Sequence, residues 1–178
     1  MVKAILREVD PKTMTRRVAG LEEINQYPDE WLLKTILPDG RYWFQHPQGE
    51  KTYLYNDYPK PRYQVGDHIW VKETWAYYPA SLPEENRILY KADTLDGIHS
   101  RLTDITKWRS GRFMFKKYAR LWLEVLAVKA EITKDISLED AIKEGFKSVK
   151  EFLDYFIKLN GKDSIKQWCF AYTFKMLK

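Results

Sequence analysis

The run Arg120-Leu121-Trp122-Leu123-Glu124-Val125-Leu126-Ala127-Val128 decides how this chain folds. Leu121, Leu123 and Val125 alternate with Trp122 and Glu124, the period of a strand that buries one face and wets the other. Such a strand needs paired neighbours to cover its apolar side, so the run predicts the backbone of a sheet. Downstream, Ile136-Ser137-Leu138-Glu139-Asp140-Ala141 places Ser137 as an N-cap with Asp140 three residues on, and Gly145 ends the helix. Val149, Phe152, Leu153 and Phe156 mark the inner face of a second helix, and the bulky residues from Trp168 to Phe174 read as a last strand.

Upstream, Asp67-His68-Ile69-Trp70-Val71-Lys72-Glu73-Thr74-Trp75 reads as one strand entered through the Gly66-Asp67 turn, and Ile88 to Lys91 as another. Val2, Ile5, Leu6 and Val9 recur at helical spacing, predicting a short amphipathic helix that Asp10-Pro11 stops. Across residues 20–63, Pro28, Pro38-Asp39-Gly40, Pro47-Gln48-Gly49 and Pro59-Lys60-Pro61 interrupt short aromatic runs such as Arg41-Tyr42-Trp43-Phe44. This stretch is expected to be an irregular insertion containing a hairpin. The sum is an α+β domain, one unit over residues 1–178, built on a small β-barrel flanked by helices.

A chain of 178 residues with 44% hydrophobic and 31% charged residues is globular by composition. No apolar run approaches a membrane span and the start has no signal-peptide pattern, so a cytoplasmic protein without a membrane partner is expected. Cys169 is the single cysteine, which excludes an internal disulfide and a multi-cysteine zinc site. The charge is uneven: residues 90–178 hold 18 basic against 12 acidic side chains, whereas residues 1–89 hold 12 against 13. Arg101, Lys107, Arg109, Arg112, Lys116, Lys117 and Arg120 face only Asp104 within residues 101–120, a surplus that suits an anionic partner or a solvated basic face.

Four separated pieces then fall in a telling order. They are Lys12-Thr13-Met14-Thr15-Arg16-Arg17; Val65-Gly66-Asp67-His68-Ile69-Trp70-Val71-Lys72-Glu73-Thr74-Trp75; Trp108-Arg109-Ser110-Gly111-Arg112-Phe113-Met114-Phe115 with Tyr118-Ala119-Arg120; and Ser137-Leu138-Glu139-Asp140-Ala141-Ile142-Lys143-Glu144-Gly145-Phe146. Together they resemble the ASCH family of the PUA-like superfold, in its phage and bacterial branch. The respective family patterns are K-T-x-T-x-R, G-D-x-L-W-V-R-E-T-W, W-R-P-x-x-x-M-P-x-W-A-x-R and E-D-A-x-x-E-G. One departure is that Asp10-Pro11 fill the link where the family usually has a glycine two residues before the signature lysine.

The resemblance implies a PUA-like fold and a nucleoside or RNA ligand, and it maps the lysine, threonine and glutamate of small N4-acetylcytidine amidohydrolases onto Lys12, Thr15 and Glu144. The chemistry is coherent, because amide hydrolysis needs a nucleophile, a group that removes its proton, and an acid for the leaving amine. Thr15 would attack, a discharged Lys12 would take the proton, and Glu144 would protonate the departing nitrogen. Burial and the neighbouring Arg16 and Arg17 favour an uncharged Lys12. Arg17, Lys72 and Glu73 are candidates for holding substrate, with Glu73 a rival carboxylate to Glu144.

Other readings use the same residues. A lysine with two arginines after a helix also grips phosphate, which makes a non-catalytic RNA-binding module the first alternative. Trp108, Arg109, Arg112, Phe113, Phe115, Lys116, Lys117, Tyr118 and Arg120 interleave cations with rings, so bases could stack while cations, Arg16 among the candidates, follow phosphates; equally, Trp108, Phe113 and Met114 could pin the loop to the core. A metal-dependent ribonuclease using Asp67, Glu73 and Asp93 is a second alternative. His46, His68 and His99 lack ligand spacing and read as surface or packing residues, Cys169 reads as core, and no phosphate-binding glycine loop occurs. The leading reading calls for no cofactor and no metal.

Overall fold

The computed structural model describes residues 5, 11–46, 58–77, 88–93 and 107–177. In chain order the strands and helices are β1 (Met14–Arg17), β2 (Leu32–Ile36), β3 (Tyr42–Gln45), β4 (His68–Trp70), β5 (Trp75–Tyr77), β6 (Ile88–Tyr90), β7 (Trp122–Ile132), α1 (Leu138–Lys143), α2 (Val149–Asn160) and β8 (Trp168–Leu177). Of the helix expected over the first residues only Ile5 falls within the described residues; it is helical and buried, packed with Val71, Leu121, Leu123 and Phe174.

The long central strand forms where its alternation predicts. β7 pairs antiparallel with β8 on one side and with β4 on the other, and β1 pairs with β8, giving an antiparallel sheet in the order β1-β8-β7-β4. Leu121, Leu123 and Val125 are buried together, as their period requires. The register then slips between Val125 and Ala127, which leaves Leu126 opposite no partner and exposed.

The expected small barrel does not close among the described residues. β1 and β4 stand at opposite edges of the four-stranded sheet, while β2–β3 and β5–β6 form separate two-stranded sheets. The physical reason is the use made of residues 20–63. Their hairpin, β2 to β3 around Gly40, lays Tyr42 and Phe44 across the sheet against Val125, Phe170 and Tyr172, with Leu21, Ile24 and Trp31 completing the largest core cluster. A second layer covers that face, so the strands need not curl round to bury it. Among the described residues of the stretch expected as an insertion, Leu21, Ile24, Trp31, Tyr42 and Phe44 therefore form a wall of the core.

The strand expected over residues 67–75 also divides. β4 ends at Trp70; the Val71 amide still bonds Leu121 at 2.9 Å, but Trp75–Tyr77 joins β6 instead. Between them the Glu73 N–H donates to Met114 Sδ at 3.2 Å and Gly111 presses on the Lys72–Glu73 backbone, where an added Cβ would lie 2.9 Å from the Glu73 carbonyl oxygen. The 107–120 segment thus takes the place a sheet neighbour would have occupied.

β8 reads as two different faces. Phe170 and Tyr172 join the aromatic core and Phe174 the smaller cluster with Ile5, Val71, Leu121 and Leu123, while Cys169, Ala171 and Thr173 alternate with them on the other side. Ile136, Ala141, Phe152 and Phe156 form a separate apolar cluster around α1 and α2, with Val18 just past β1 packed against it. Both helices are capped as their sequences indicate: Ser137 Oγ accepts from the Asp140 N–H and Ser148 Oγ from the Glu151 N–H, each at 3.1 Å.

Candidate active site

β1 is the element that places the site. Its residues alternate, Met14 and Arg16 buried and Arg17 exposed, and its register sets Arg16, Ala171 and Lys129 side by side across three strands. Ala171 and the neighbouring Cys169 are small, so the Arg16 guanidinium can reach over β8 to Glu131 on β7. Nε donates to Glu131 Oε1 at 2.8 Å and Nη2 shares the same oxygen. Nη2 also meets Asp140 Oδ2 at 3.1 Å, Nη1 meets Glu144 Oε1 at 3.2 Å, and the guanidinium lies 5.5 Å from the Phe152 ring centre.

Glu144 is brought to this cluster by the way α1 ends. Gly145 takes φ +90°, its N–H bonds the Ile142 carbonyl at 2.8 Å, and the Phe146 N–H bonds the Ala141 carbonyl at 3.0 Å. This paired closure needs a left-handed residue after the cap, which glycine adopts without strain. The cap residue Glu144 is thereby only 5% exposed and turned inward. The Thr13 N–H bonds the Lys143 carbonyl at 2.9 Å, while the Thr13 carbonyl accepts from Phe174. Residue 12 is thus fixed beside the end of α1.

Lys12, 8% exposed, points into this corner. Its Nζ donates to the Glu144 carbonyl oxygen at 2.8 Å and also to Glu144 Oε2. Burial lowers the Lys12 pKa below the usual lysine range; Glu144 opposes the shift, and Arg17 and Arg16 add to it. For Arg16, burial works against the charge but Glu131 and Glu144 outweigh it, so its pKa rises and the guanidinium stays charged. Asp140 is also a firm anion: burial pushes its pKa up, but Lys129 and Arg16 pull it lower overall.

A cavity of about 450 Å³ opens beside these groups, within the range of small-molecule sites. Lys12, Thr15, Arg16, Arg17 and Glu144 line it together with the apolar Phe146, Phe152 and Leu159 and with Tyr155. The three residues proposed from sequence, Lys12, Thr15 and Glu144, therefore converge on one pocket. Thr15 stands on the opposite face of β1 from Arg16, and its Oγ1 accepts from Arg17 Nη1 at 2.8 Å. The cavity wraps round the edge of β1, so both faces of the strand contribute to it.

Of the remaining candidates Arg16 also lines the cavity, and the others lie elsewhere. Arg16, expected among the nucleic-acid contacts, is buried and spent on three carboxylates, because the small residues of β8 leave it a slot. Lys72 and Glu73 do point opposite ways, one exposed and one buried, but neither lines the cavity. Glu73 is instead held by Arg120, whose Nε and Nη2 donate to its two oxygens at 3.0 and 2.9 Å while Nη1 and Nη2 take Asp93 at 2.7 and 2.8 Å. Arg120 also stacks 4.0 Å from the Tyr90 ring centre. It is a structural clamp rather than a groove cation, and it occupies two of the three carboxylates of the suggested metal set. The third, Asp67, accepts the Gln64 N–H at 2.8 Å in its turn.

Of the basic segment, Lys107, Arg109, Arg112, Lys116 and Lys117 are exposed, as are Phe113 and Phe115, and Trp108 is half-buried. Met114 alone of the three expected anchors is buried. The cations sit over rings: Arg109 lies 5.4 Å from Trp75 and 5.1 Å from Tyr77, Lys116 5.2 Å from Trp122, and Lys117 4.8 Å from Tyr118. Cys169 is fully buried, and burial pushes its thiol up to about 12, as a core residue should behave. His46 packs edge-on to Trp31 and contacts Glu30 at 2.8 Å, whereas His68 is exposed; His99 lies outside the described residues.

Sequence reasoning did not single out Glu131, Lys129 or Asp140 as partners in the site. The available signal was the large-small alternation of β8, which reserves room on one face for a long side chain from β1.

Comparison of the chain with models of known families, with characterised proteins and with solved structures finds no match. The helices among the described residues include none long and apolar enough to cross a membrane.

Proposed function

We propose that the protein is an amidohydrolase that removes the acyl group from an N4-acylated cytosine nucleoside, free or within RNA, on a PUA-like domain. The observation that carries this reading is the Lys12–Glu144 pair: a buried amine that burial inclines to lose its proton, bonded to a carboxylate at the wall of a cavity that Thr15 also lines. The resemblance of the four sequence pieces to ASCH proteins supplies the substrate class.

In the proposed sequence Thr15 Oγ1 bonds to the acyl carbon while its proton passes to the uncharged Lys12. The carbonyl electron pair moves to oxygen, where Arg17, which lines the cavity beside Thr15, would donate. Lys12 hands the proton to Glu144, and the Glu144 acid delivers it to the cytosine nitrogen as the C–N bond breaks. Water then attacks the Thr15 ester as Lys12 takes its proton; the C–Oγ1 bond breaks, Lys12 returns the proton to Thr15 Oγ1, and the carboxylic acid leaves with both residues restored. Atoms and charge balance with water as the only co-reactant.

The test is incubation with N4-acetylcytidine, free and in an RNA oligonucleotide, with and without chelator. Acetate release unaffected by chelator is expected. No release from either substrate removes the hydrolase reading.

One observation favours a second, compatible reading. The exposed cations and rings of residues 107–117 form a surface suited to single-stranded RNA, with binding rather than catalysis as its role.

A further inference from the structure

We propose that Arg16 is a positioning residue for the Lys12–Glu144 pair: by taking one oxygen of the Glu144 carboxylate, it limits that carboxylate's hold on the proton of Lys12. The inference rests on the reading of Lys12 as the working base.

The geometry divides Glu144 between two cations. Oε2 and the carbonyl face Lys12, and Oε1 faces Arg16 Nη1 at 3.2 Å. Of the two, only the amine can discharge at a working pH. A lone carboxylate against a buried lysine would keep the ammonium charged, and a base that never discharges is no base. Sharing the carboxylate with a permanent guanidinium spreads its charge, and the guanidinium itself repels a second positive charge nearby.

Arg16 is in turn held from behind. Glu131 and Asp140 bind it, and Lys129 closes the chain at the surface, 2.6 Å from Asp140 Oδ2 and 2.9 Å from Glu131 Oε2. Cys169 of β8 lies beside this part of the network, and its high pKa leaves it uncharged. On the cavity side the charged or titratable neighbours are Arg17 of β1 and Tyr155 of α2. With Lys12, Arg16 and Lys129 opposite Glu131, Asp140 and Glu144, the cluster is balanced when all six are ionised. Each substitution within it therefore shifts Lys12 in a direction set by the sign of the charge removed.

The measurement is the titration of the Lys12 Nζ resonance in protein labelled with 15N at lysine Nζ, identified by its loss in Lys12→Arg. Arg16→Gln removes the repelling charge and frees Glu144, so Lys12 should titrate higher by about one pH unit. Arg16→Lys keeps the charge and should stay near wild type. Asp140→Asn, nearly isosteric, strips an anion from Arg16 and should move Lys12 lower; it carries the test if Arg16→Gln does not fold. A Lys12 titration unmoved in folded Arg16→Gln, or in Asp140→Asn where Arg16→Gln does not fold, overturns the proposal. The rising limb of acetate release against pH should move with the resonance, a shift that mere loss of packing would not cause. If wild type releases no acetate while the resonance moves as described, the hydrolase reading fails and the coupling stands.

Discussion

Lys12 and Glu144, 132 residues apart in the chain, are joined twice, through the Glu144 carbonyl at 2.8 Å and through its carboxylate. The pair of hydrogen bonds matters because it fixes the amine to a backbone atom as well as to a side chain. Replacing the carboxylate alone leaves the amine located, so position and proton transfer can be separated by mutation.

The first prediction tests proton transfer at the amine and at the hydroxyl. Lys12→Arg keeps a cation beside Glu144 but cannot discharge, and acetate release should fall by roughly a hundredfold or more. Thr15→Val keeps the shape of a residue on an edge strand while deleting the hydroxyl, and should abolish release with little change in melting temperature. Because burial lowers the Lys12 pKa, wild-type kcat/KM should rise with pH through a limb below the ordinary lysine range, as the protonated amine gives up its charge. Wild-type turnover in Lys12→Arg would show that another group is the base.

The second prediction concerns the helix end that presents Glu144. Gly145 has φ +90°, where a Cβ costs roughly 1–2 kcal/mol. Gly145→Ala should lower stability to denaturant by that amount and cut acetate release well below what the unfolded fraction explains, since the strained turn moves Glu144. Ser137→Ala, which removes the N-cap bond of the same helix at a cost of about 1 kcal/mol, should lower stability but keep turnover in the folded fraction. Equal losses of activity in the two variants would detach Glu144 from the chemistry.

Much of this arrangement was legible in the sequence where local rules decide it. The alternation of Leu121, Leu123 and Val125 marked the central strand, and Ser137 and Gly145 bracketed α1, because periodicity and capping are properties of neighbouring residues. The convergence of Lys12, Thr15 and Glu144 came from motif resemblance, since no local rule relates positions so far apart. Closure of the sheet was misjudged because Tyr42 and Phe44 of the hairpin cover its face, a choice made by packing between distant segments. Glu73 was misplaced for a similar reason: alternation along residues 67–75 could not foresee that Gly111 and Met114 would interrupt the strand. Arg16 looked like a surface cation beside Arg17, and only the Arg16–Ala171–Lys129 register shows why it is buried.

The last prediction addresses the surface of residues 107–117. Arg109, Arg112, Lys116 and Lys117 are exposed, and within residues 107–120 no acidic side chain opposes them. Binding of a single-stranded RNA should therefore weaken as salt rises, each phosphate contact adding roughly 0.7 to the slope of log K against log salt. Changing these four to alanine should flatten the slope while leaving acetate release from the free nucleoside intact, because none of them lines the cavity. Arg120 is deliberately kept: it clamps Glu73 and Asp93, and its removal would strand the buried Glu73 carboxylate without its partner. Phe113→Ala and Phe115→Ala, at residues 67% and 58% exposed, test stacking separately from charge, and each should weaken binding at every salt concentration without altering the slope. A slope unchanged by the four alanines, in a variant that melts like wild type, would mean that these cations serve only as a solvated face and that RNA is held elsewhere.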